Sequence, residues 1–82
     1  MTIAHQLVGY DIRTERLSVA MTVPAHKFKA AAEIAGVPEE DAEAIGSYPL
    51  EEEQAERIAR LIGQHVASRA LAYFLEPLPN DD

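Results

Sequence analysis

The amino-acid sequence predicts a two-layer α+β domain, in which an antiparallel β-hairpin and a C-terminal strand pack against two main helices in the order β-β-α-α-β. Three observations support this prediction. Residues 5–23 have the period-two pattern of strands, and residues 51–63 have the three-and-four spacing of an amphipathic helix. Residues 69–76 combine alanines with an aromatic pair and stop abruptly at Pro77.

The hairpin occupies residues 5–23. The apolar residues of its second strand fall on one face: Leu17, Val19, Met21 and Val23. Asp11 and Thr14 are residue types whose side chains accept hydrogen bonds from nearby backbone N–H groups, so residues 11–15 are predicted to form a loop built on a type I turn. Gly9, inside the first strand, indicates a bulge or a close approach by another element.

The first helix is predicted at residues 25–35. Pro24 cannot continue a strand ladder and suits the first turn of a helix, and Gly36 ends the helix. Its buried face is a narrow stripe: Phe28, Ala31, Ala32 and Ala35. Residues 38–45 are then predicted to form one or two helical turns, because Pro and acidic residues favour a helix start. This stretch offers two residues for burial, Ala42 and Ile45.

The second main helix is predicted at residues 51–63 and is the best-defined element of the sequence. Pro49 holds Tyr48 in an extended conformation and prevents helix upstream. One face is apolar: Ala55, Ile58, Leu61, Ile62, His65 and Val66. The opposite face is polar: Glu53, Glu56, Arg57, Arg60 and Gln64. Gly63 either ends this helix in the left-handed conformation or is an interior glycine of a longer one.

Residues 64–76 allow two interpretations, a continued helix or a strand. Alanine favours the helix, whereas Tyr73, Phe74 and the stop at Pro77 favour the strand. Because a two-stranded hairpin alone is marginally stable in water, a third strand would complete the sheet, and we predict the strand.

Length and composition exclude several classes of protein. The chain of 82 residues has room for one domain, predicted at residues 1–76 and followed by a disordered acidic tail at 77–82. Without cysteine it has no disulfide, thiolate metal site or thiol nucleophile. It shows no secretion signal and no apolar run approaching the roughly 20 residues that cross a bilayer. We therefore expect a cytoplasmic protein that does not bind membranes.

The net charge of −7 is concentrated in the second half of the chain. Residues 1–36 sum to +1, whereas residues 37–82 sum to −8. One acidic stretch contains no Lys or Arg, and its acids are Glu39, Glu40, Asp41, Glu43, Glu51, Glu52, Glu53 and Glu56. Such a field repels nucleic-acid phosphates and attracts basic partners. We predict that these acids bind a basic protein, the alternative being a solvated surface that keeps the protein soluble.

The sequence predicts no catalytic, cofactor-binding or metal site. The histidines lie in separate elements without the spacing of metal ligands, and each is expected to be structural or solvated: His5, His26 and His65. The serines lack the Gly-x-Ser-x-Gly elbow of a nucleophile: Ser18, Ser47 and Ser68. The carboxylates form neither a calcium loop nor an acid/base pair in a cleft. The basic residues of the first half are a scattered solvated set or a weak patch: Arg13, Arg16, Lys27 and Lys29.

Three short segments resemble those of a family of small uncharacterised bacterial domains. They are Tyr10-Asp11 with Thr14, Ser47-Tyr48-Pro49-Leu50 with Glu52-Glu53-Gln54-Ala55, and Tyr73-Phe74-Leu75-Glu76. The resemblance covers most of the chain and implies a β-hairpin, helices and a last strand, but no activity. Glu51 departs from the expected pattern, in which Ser or Thr would cap the helix and Gln54 would complete a capping box.

Size and acidity make the protein similar to immunity proteins that mask basic toxins. By this analogy we predict a non-enzymatic protein-binding module, immunity-like or antitoxin-like, with a basic partner. The alternative is a small structural domain that forms a homodimer through its sheet.

Overall fold

The α+β class and the predicted order of two strands, two helices and a final strand are confirmed by a computed structural model, which describes residues 4–65 and 71–78. The strands are β1 (His5–Asp11), β2 (Leu17–Val23), β3 (Tyr48–Leu50) and β4 (Leu71–Pro77). The helices are α1 (Phe28–Ala35) and α2 (Glu52–Leu61), with short 3₁₀ turns at Ala25–Lys27 and Glu39–Asp41. None of the helices in the described ranges is both long and apolar enough to cross a membrane.

The strands form one antiparallel sheet in the order β2-β1-β4-β3. The C-terminal strand is therefore central, which confirms the strand interpretation for residues 71–76. The preceding part of that segment, at 66–70, lies outside the described residues and includes Val66, Ser68 and Arg69. The sheet has four strands rather than the predicted three, because Tyr48–Leu50 pairs with β4 instead of only leading into α2. Pro49 is compatible with this position, because β3 is an edge strand.

Both α-helices pack on the same face of the sheet. The core consists of Leu7, Val23, Ala31, Ala35, Ala55, Ile58, Ala59, Tyr73 and Leu75. Leu61 and Ile62 are half-buried against this core, whereas His65 lies beyond α2 and is exposed. Alanines dominate the helix contribution, so the helix backbones can approach the sheet closely.

Gly63 ends α2 and is not an interior glycine. Its φ is 77°, in the left-handed region. The Gly63 N–H donates to Arg60 O at 3.1 Å, and the Gln64 N–H donates to Ala59 O at 2.8 Å, the bonding pattern of a Schellman motif. Gly36, with φ 76°, ends α1 in the same way.

Side chains from both helical regions satisfy helix ends. Gln54 Oε1 accepts the Glu51 N–H at 2.8 Å, which is the glutamine half of the expected capping box. Gln54 Nε2 also donates to Ile34 O at 2.9 Å and joins α2 to the end of α1. Lys27 Nζ donates to Leu61 O at 2.7 Å, so this lysine holds the C-terminal end of α2 rather than belonging to a solvated set.

Gly9 marks both a bulge and a close approach. The register between β1 and β2 shifts between Gly9 and Tyr10, so Tyr10 pairs with Leu17. Leu17 consequently does not share the face of Val19, Met21 and Val23 as predicted, and it is 56% exposed. A Cβ on Gly9 would lie 2.8 Å from Val19 Cγ1 and 2.9 Å from Tyr73 Cε1. Glycine is needed here because neighbouring side chains occupy that space.

The predicted burial within residues 38–45 is wrong. Ala42 and Ile45 are exposed, and Ala44 is fully buried. The Asp41 side chain accepts backbone N–H groups that a continuing helix would use, and the chain turns at Ala44 with φ 49°.

The sheet also extends past residue 76. Pro77 belongs to β4, and the Leu78 N–H donates to Ala4 O at 2.8 Å. The remainder of the predicted tail, at 79–82, lies outside the described residues.

Candidate functional site

The eight acids predicted to bind a basic partner lie on both sides of edge strand β3 in the chain. Before β3 are Glu39, Glu40, Asp41 and Glu43, and after it are Glu51, Glu52, Glu53 and Glu56. All except Asp41 are exposed. We call the seven exposed carboxylates the acidic surface. In the chain, residues 44–50, which include the three-residue strand β3, separate the two groups.

Asp41 differs from the other seven because its carboxylate is bonded within its own loop. Oδ1 accepts the Ile45 N–H at 3.0 Å, and Oδ2 accepts both the Gly46 N–H at 3.1 Å and the Tyr48 hydroxyl. The Tyr48 hydrogen bond, followed by the two backbone bonds, holds the pKa of Asp41 below its usual 3.8. The same bond is the main reason that the pKa of Tyr48 is raised to about 12.

His5 supports this loop from the core side. Its Nε2 lies 2.8 Å from Glu43 O and 3.2 Å from Ala44 O, so this nitrogen carries the proton and donates it to the carbonyls. The ring stacks on Phe28 with centroids 4.2 Å apart. His5 is only 3% exposed, whereas His26 and His65 are exposed. The arrangement of His5 is that of a structural histidine.

A second tyrosine–carboxylate pair lies on the sheet face opposite the helices. Tyr10 donates to Glu76 Oε1 at 3.1 Å, and Ser47 Oγ donates to Glu76 Oε2 at 2.9 Å. Loss of water around the hydroxyl, followed by the bond to Glu76, raises the pKa of Tyr10 above 10.0. The rings of Tyr10 and Phe74 meet edge to face, with centroids 5.8 Å apart.

These side chains line an open depression of about 460 Å³, which we call the recess. Its lining includes the rings of Tyr10 and Phe74 together with three carboxylates: Asp11, Glu15 and Glu76. Asp11 Oδ1 accepts the N–H groups of Arg13 and Thr14 at 2.8 and 3.0 Å, which positions the hairpin loop at one end of the recess. Ser47 lines the recess next to β3, on the loop that contains the first acids of the acidic surface.

The recess was not predicted from the sequence. One signal was available, because the alternation of β4 places Ala72, Phe74 and Glu76 on the face opposite Tyr73 and Leu75. The position of Tyr10 beside them depends on the β1–β4 pairing and on the bulge after Gly9. Within residues 4–65 and 71–78, no three His, Asp or Glu side chains are grouped so that they could hold a metal ion. The recess thus combines negative charge and aromatic surface without the geometry of a metal site.

Comparison with known proteins gives a family match over residues 5–76, to the model described as Domain of unknown function (DUF7683). No curated protein and no solved structure matches the chain.

Proposed function

Since the chain belongs to the DUF7683 family, a domain of unknown function, we propose from its own side chains that it is a non-enzymatic module that binds a basic protein partner, as an immunity or antitoxin-like protein would. The observation that carries this proposal is the acidic surface. Its seven carboxylates are exposed, and the stretch from residue 30 to residue 56, which contains all of them, includes no Lys or Arg. The bacterial origin and cytoplasmic location expected from the sequence remain predictions.

Charge is the main source of recognition in this proposal. A concentrated negative field accelerates encounter with a positively charged protein and disfavours acidic competitors. Strand addition at β3 contributes little, because β3 has three residues and includes Pro49, which has no N–H to donate. The partner would therefore contact side chains beside β3 rather than extend the sheet there.

The test is affinity capture from an extract of the native host at low salt, followed by binding measurements with the purified captured protein. We expect a basic protein whose association slows steeply as salt increases. Neutralising three acids of the acidic surface, with Glu39→Gln, Glu40→Gln and Glu43→Gln together, should slow association about tenfold or more. Glu33→Gln, an exposed acid on α1, is the control and should have little effect. The proposal is rejected if no basic protein is captured, or if the triple variant binds the captured protein as wild type does.

A second candidate function, homodimer formation, is favoured by the other edge of the sheet. Edge strand β2 has seven residues, Leu17–Val23, with neither a charged residue nor a proline among them. Natural edge strands usually carry such residues to prevent pairing with another chain. The strand also belongs to the half of the chain with a charge of only +1, so self-repulsion is weak there.

Light scattering tests whether the protein forms this homodimer or is a monomer. If β2 edges pair, wild type is a dimer at micromolar concentration and Ala20→Lys on exposed β2 makes it monomeric. Ala42→Lys, the same change on an exposed loop residue, is the control and should leave the dimer intact. A wild-type monomer at high micromolar concentration excludes the homodimer.

A further inference from the structure

We propose that the recess receives an arginine side chain of the basic partner, with the guanidinium against the rings of Tyr10 and Phe74 and its N–H groups directed at Glu76. This inference rests on the proposed function, because it supplies the contact that a basic partner would make beyond the general attraction of the acidic surface. It specifies where one side chain of the partner binds, whereas the proposed function specifies only the partner's charge.

The aromatic rings supply the first feature that an arginine site needs, a surface for the guanidinium. Tyr10 and Phe74 are both half-buried and hold each other edge to face, so their positions are restrained without a ligand. A guanidinium over an aromatic face is attracted by the negative face of the ring, and the attraction is stronger where water is excluded. The two rings therefore offer a cation a surface that scattered carboxylates do not.

The carboxylates supply the second feature that an arginine site needs, negative charge that can accept N–H groups. Among residues 4–65 and 71–78, those that line the recess include Asp11, Glu15 and Glu76 but no Lys or Arg. In the described part of the chain, the hydrogen-bond donors to the Glu76 side chain are two neutral hydroxyls, one on each oxygen. Each carboxylate oxygen has two lone pairs, so both retain capacity for a further donor. The charge of Glu76 is thus held in place and is not neutralised by these bonds.

Size and shape favour arginine over a small cation. The recess has a volume of about 460 Å³ and is open to solvent, so a long side chain can enter it from outside. The flat guanidinium can stack on a ring and direct a fork of N–H groups at a carboxylate, whereas the lysine ammonium is a compact point charge. Among the described residues, no three acidic or histidine side chains lie close enough together to bind a metal ion.

The recess also adjoins the acidic surface. Ser47, which bonds Glu76, directly precedes β3, and the loop before it contains Glu39, Glu40 and Glu43. A partner attracted by those acids would meet the recess at the same edge of the sheet. The hairpin loop at the other end contains two exposed arginines of this chain, Arg13 and Arg16, and neither lines the recess.

The test is an NMR titration of the full chain with an arginine derivative blocked at both ends, compared with the citrulline derivative, which has the same shape without the charge. We expect saturable shifts at Ala72, Phe74 and Glu76 with the arginine derivative and not with citrulline. Phe74→Leu and Glu76→Gln should each weaken the apparent Kd about threefold or more. Glu53→Gln, an exposed acid on α2, is the matched control and should leave the Kd unchanged.

The outcomes separate this inference from the proposed function. Equal shifts with arginine and citrulline, shifts elsewhere, or an unchanged Kd in both recess variants would overturn the inference, even if a basic partner is captured. Selective arginine binding at the recess without any basic partner in the host extract would support the recess as an arginine site and reject both the basic partner and the proposed function.

Discussion

The protein contains two tyrosine–carboxylate pairs whose surroundings differ. In the Asp41–Tyr48 pair, the carboxylate also accepts two backbone N–H groups, and Tyr48 packs against the helix-covered core. In the Glu76–Tyr10 pair, the other donor is the hydroxyl of Ser47, and the pair lines an open recess. Backbone donors are fixed by the chain, whereas hydroxyls rotate.

This difference indicates a division of roles between the two pairs. Asp41 closes the loop over His5 and Ala44, and its carboxylate accepts three hydrogen bonds, two of them from backbone N–H groups, so only Oδ1 keeps a lone pair for a further donor. Glu76 can accept a new donor while its hydroxyl partners reorient. The covered side of the sheet should therefore control stability, and the open side should tolerate changes that alter binding.

The largest expected effect is on the covered side. Ile58 is fully buried, so Ile58→Ala should lower the free energy of unfolding by about 2–5 kcal/mol. Ile12, which is 61% exposed beside the recess, provides a matched comparison, and Ile12→Ala should change it by less than about 0.5 kcal/mol. Urea denaturation measures both values. Similar losses from the two substitutions would mean that stability is not divided between the faces as described.

Adding one methyl group at Gly9 should have the next largest effect. Gly9→Ala would place a Cβ within 3.0 Å of Val19, Tyr73 and Leu71 side-chain atoms, at a cost of about 1–3 kcal/mol. Gly46→Ala is the control, because its Cβ would meet Asp41 and Tyr48 atoms at ordinary contact distances of 3.5 Å or more. Thermal unfolding of both variants checks this prediction. A neutral Gly9→Ala would indicate that the covered face is looser at this bulge than its contacts imply.

Local patterns in the sequence were sufficient to predict the main elements. Alternation identified the hairpin, the three-and-four spacing identified the helix at 51–63, and the aromatic pair favoured the final strand. These features depend on neighbouring residues. Each can be recognised without knowing which distant segments meet.

The features that escaped prediction depend on distant or side-chain contacts. Strand β3 forms only because β4 provides an edge for Tyr48–Leu50. Ala44 is buried because Asp41 bonds the backbone that follows it. The recess requires Tyr10 and Glu76, which are 66 positions apart in the chain, to meet across the β1–β4 pairing. Periodicity determines the face of a residue, but it does not determine its neighbours on the next strand.

Low pH should reduce the contribution of the Asp41 carboxylate to the stability of the folded state. Because the folded-state pKa of Asp41 is below 3.8, its contribution to stability is complete above that pH and is lost as the pH falls through the lowered pKa. The stability difference between wild type and Asp41→Asn should therefore shrink below about pH 4. Glu43→Gln removes a charge from the same loop without affecting the Asp41 bonds and should stay within about 0.5 kcal/mol of wild type. A constant difference for Asp41→Asn down to pH 2 would contradict the proposed role of its ionised form.

The smallest effect, and the most direct comparison of the two pairs, is the alkaline titration of the tyrosines. The bond to Asp41 raises the pKa of Tyr48 to about 12. The pKa of Tyr10 is raised above 10.0 mainly because its hydroxyl has lost part of its water. A raised phenol pKa gives stability that is complete below the ordinary pKa and is lost as the pH rises through the folded-state pKa. The free energy of unfolding of wild type should therefore fall between pH 10 and about 12. The fall should be smaller in Tyr48→Phe, and Tyr10→Phe should reduce it by a lesser amount than Tyr48→Phe does. Since each substitution removes only one phenol, the differences between the pH profiles of the three proteins isolate the contributions of the two tyrosines. If the pKa of Tyr10, followed by phenolate absorbance, equalled or exceeded that of Tyr48, the contrast between the two tyrosine–carboxylate pairs would be contradicted.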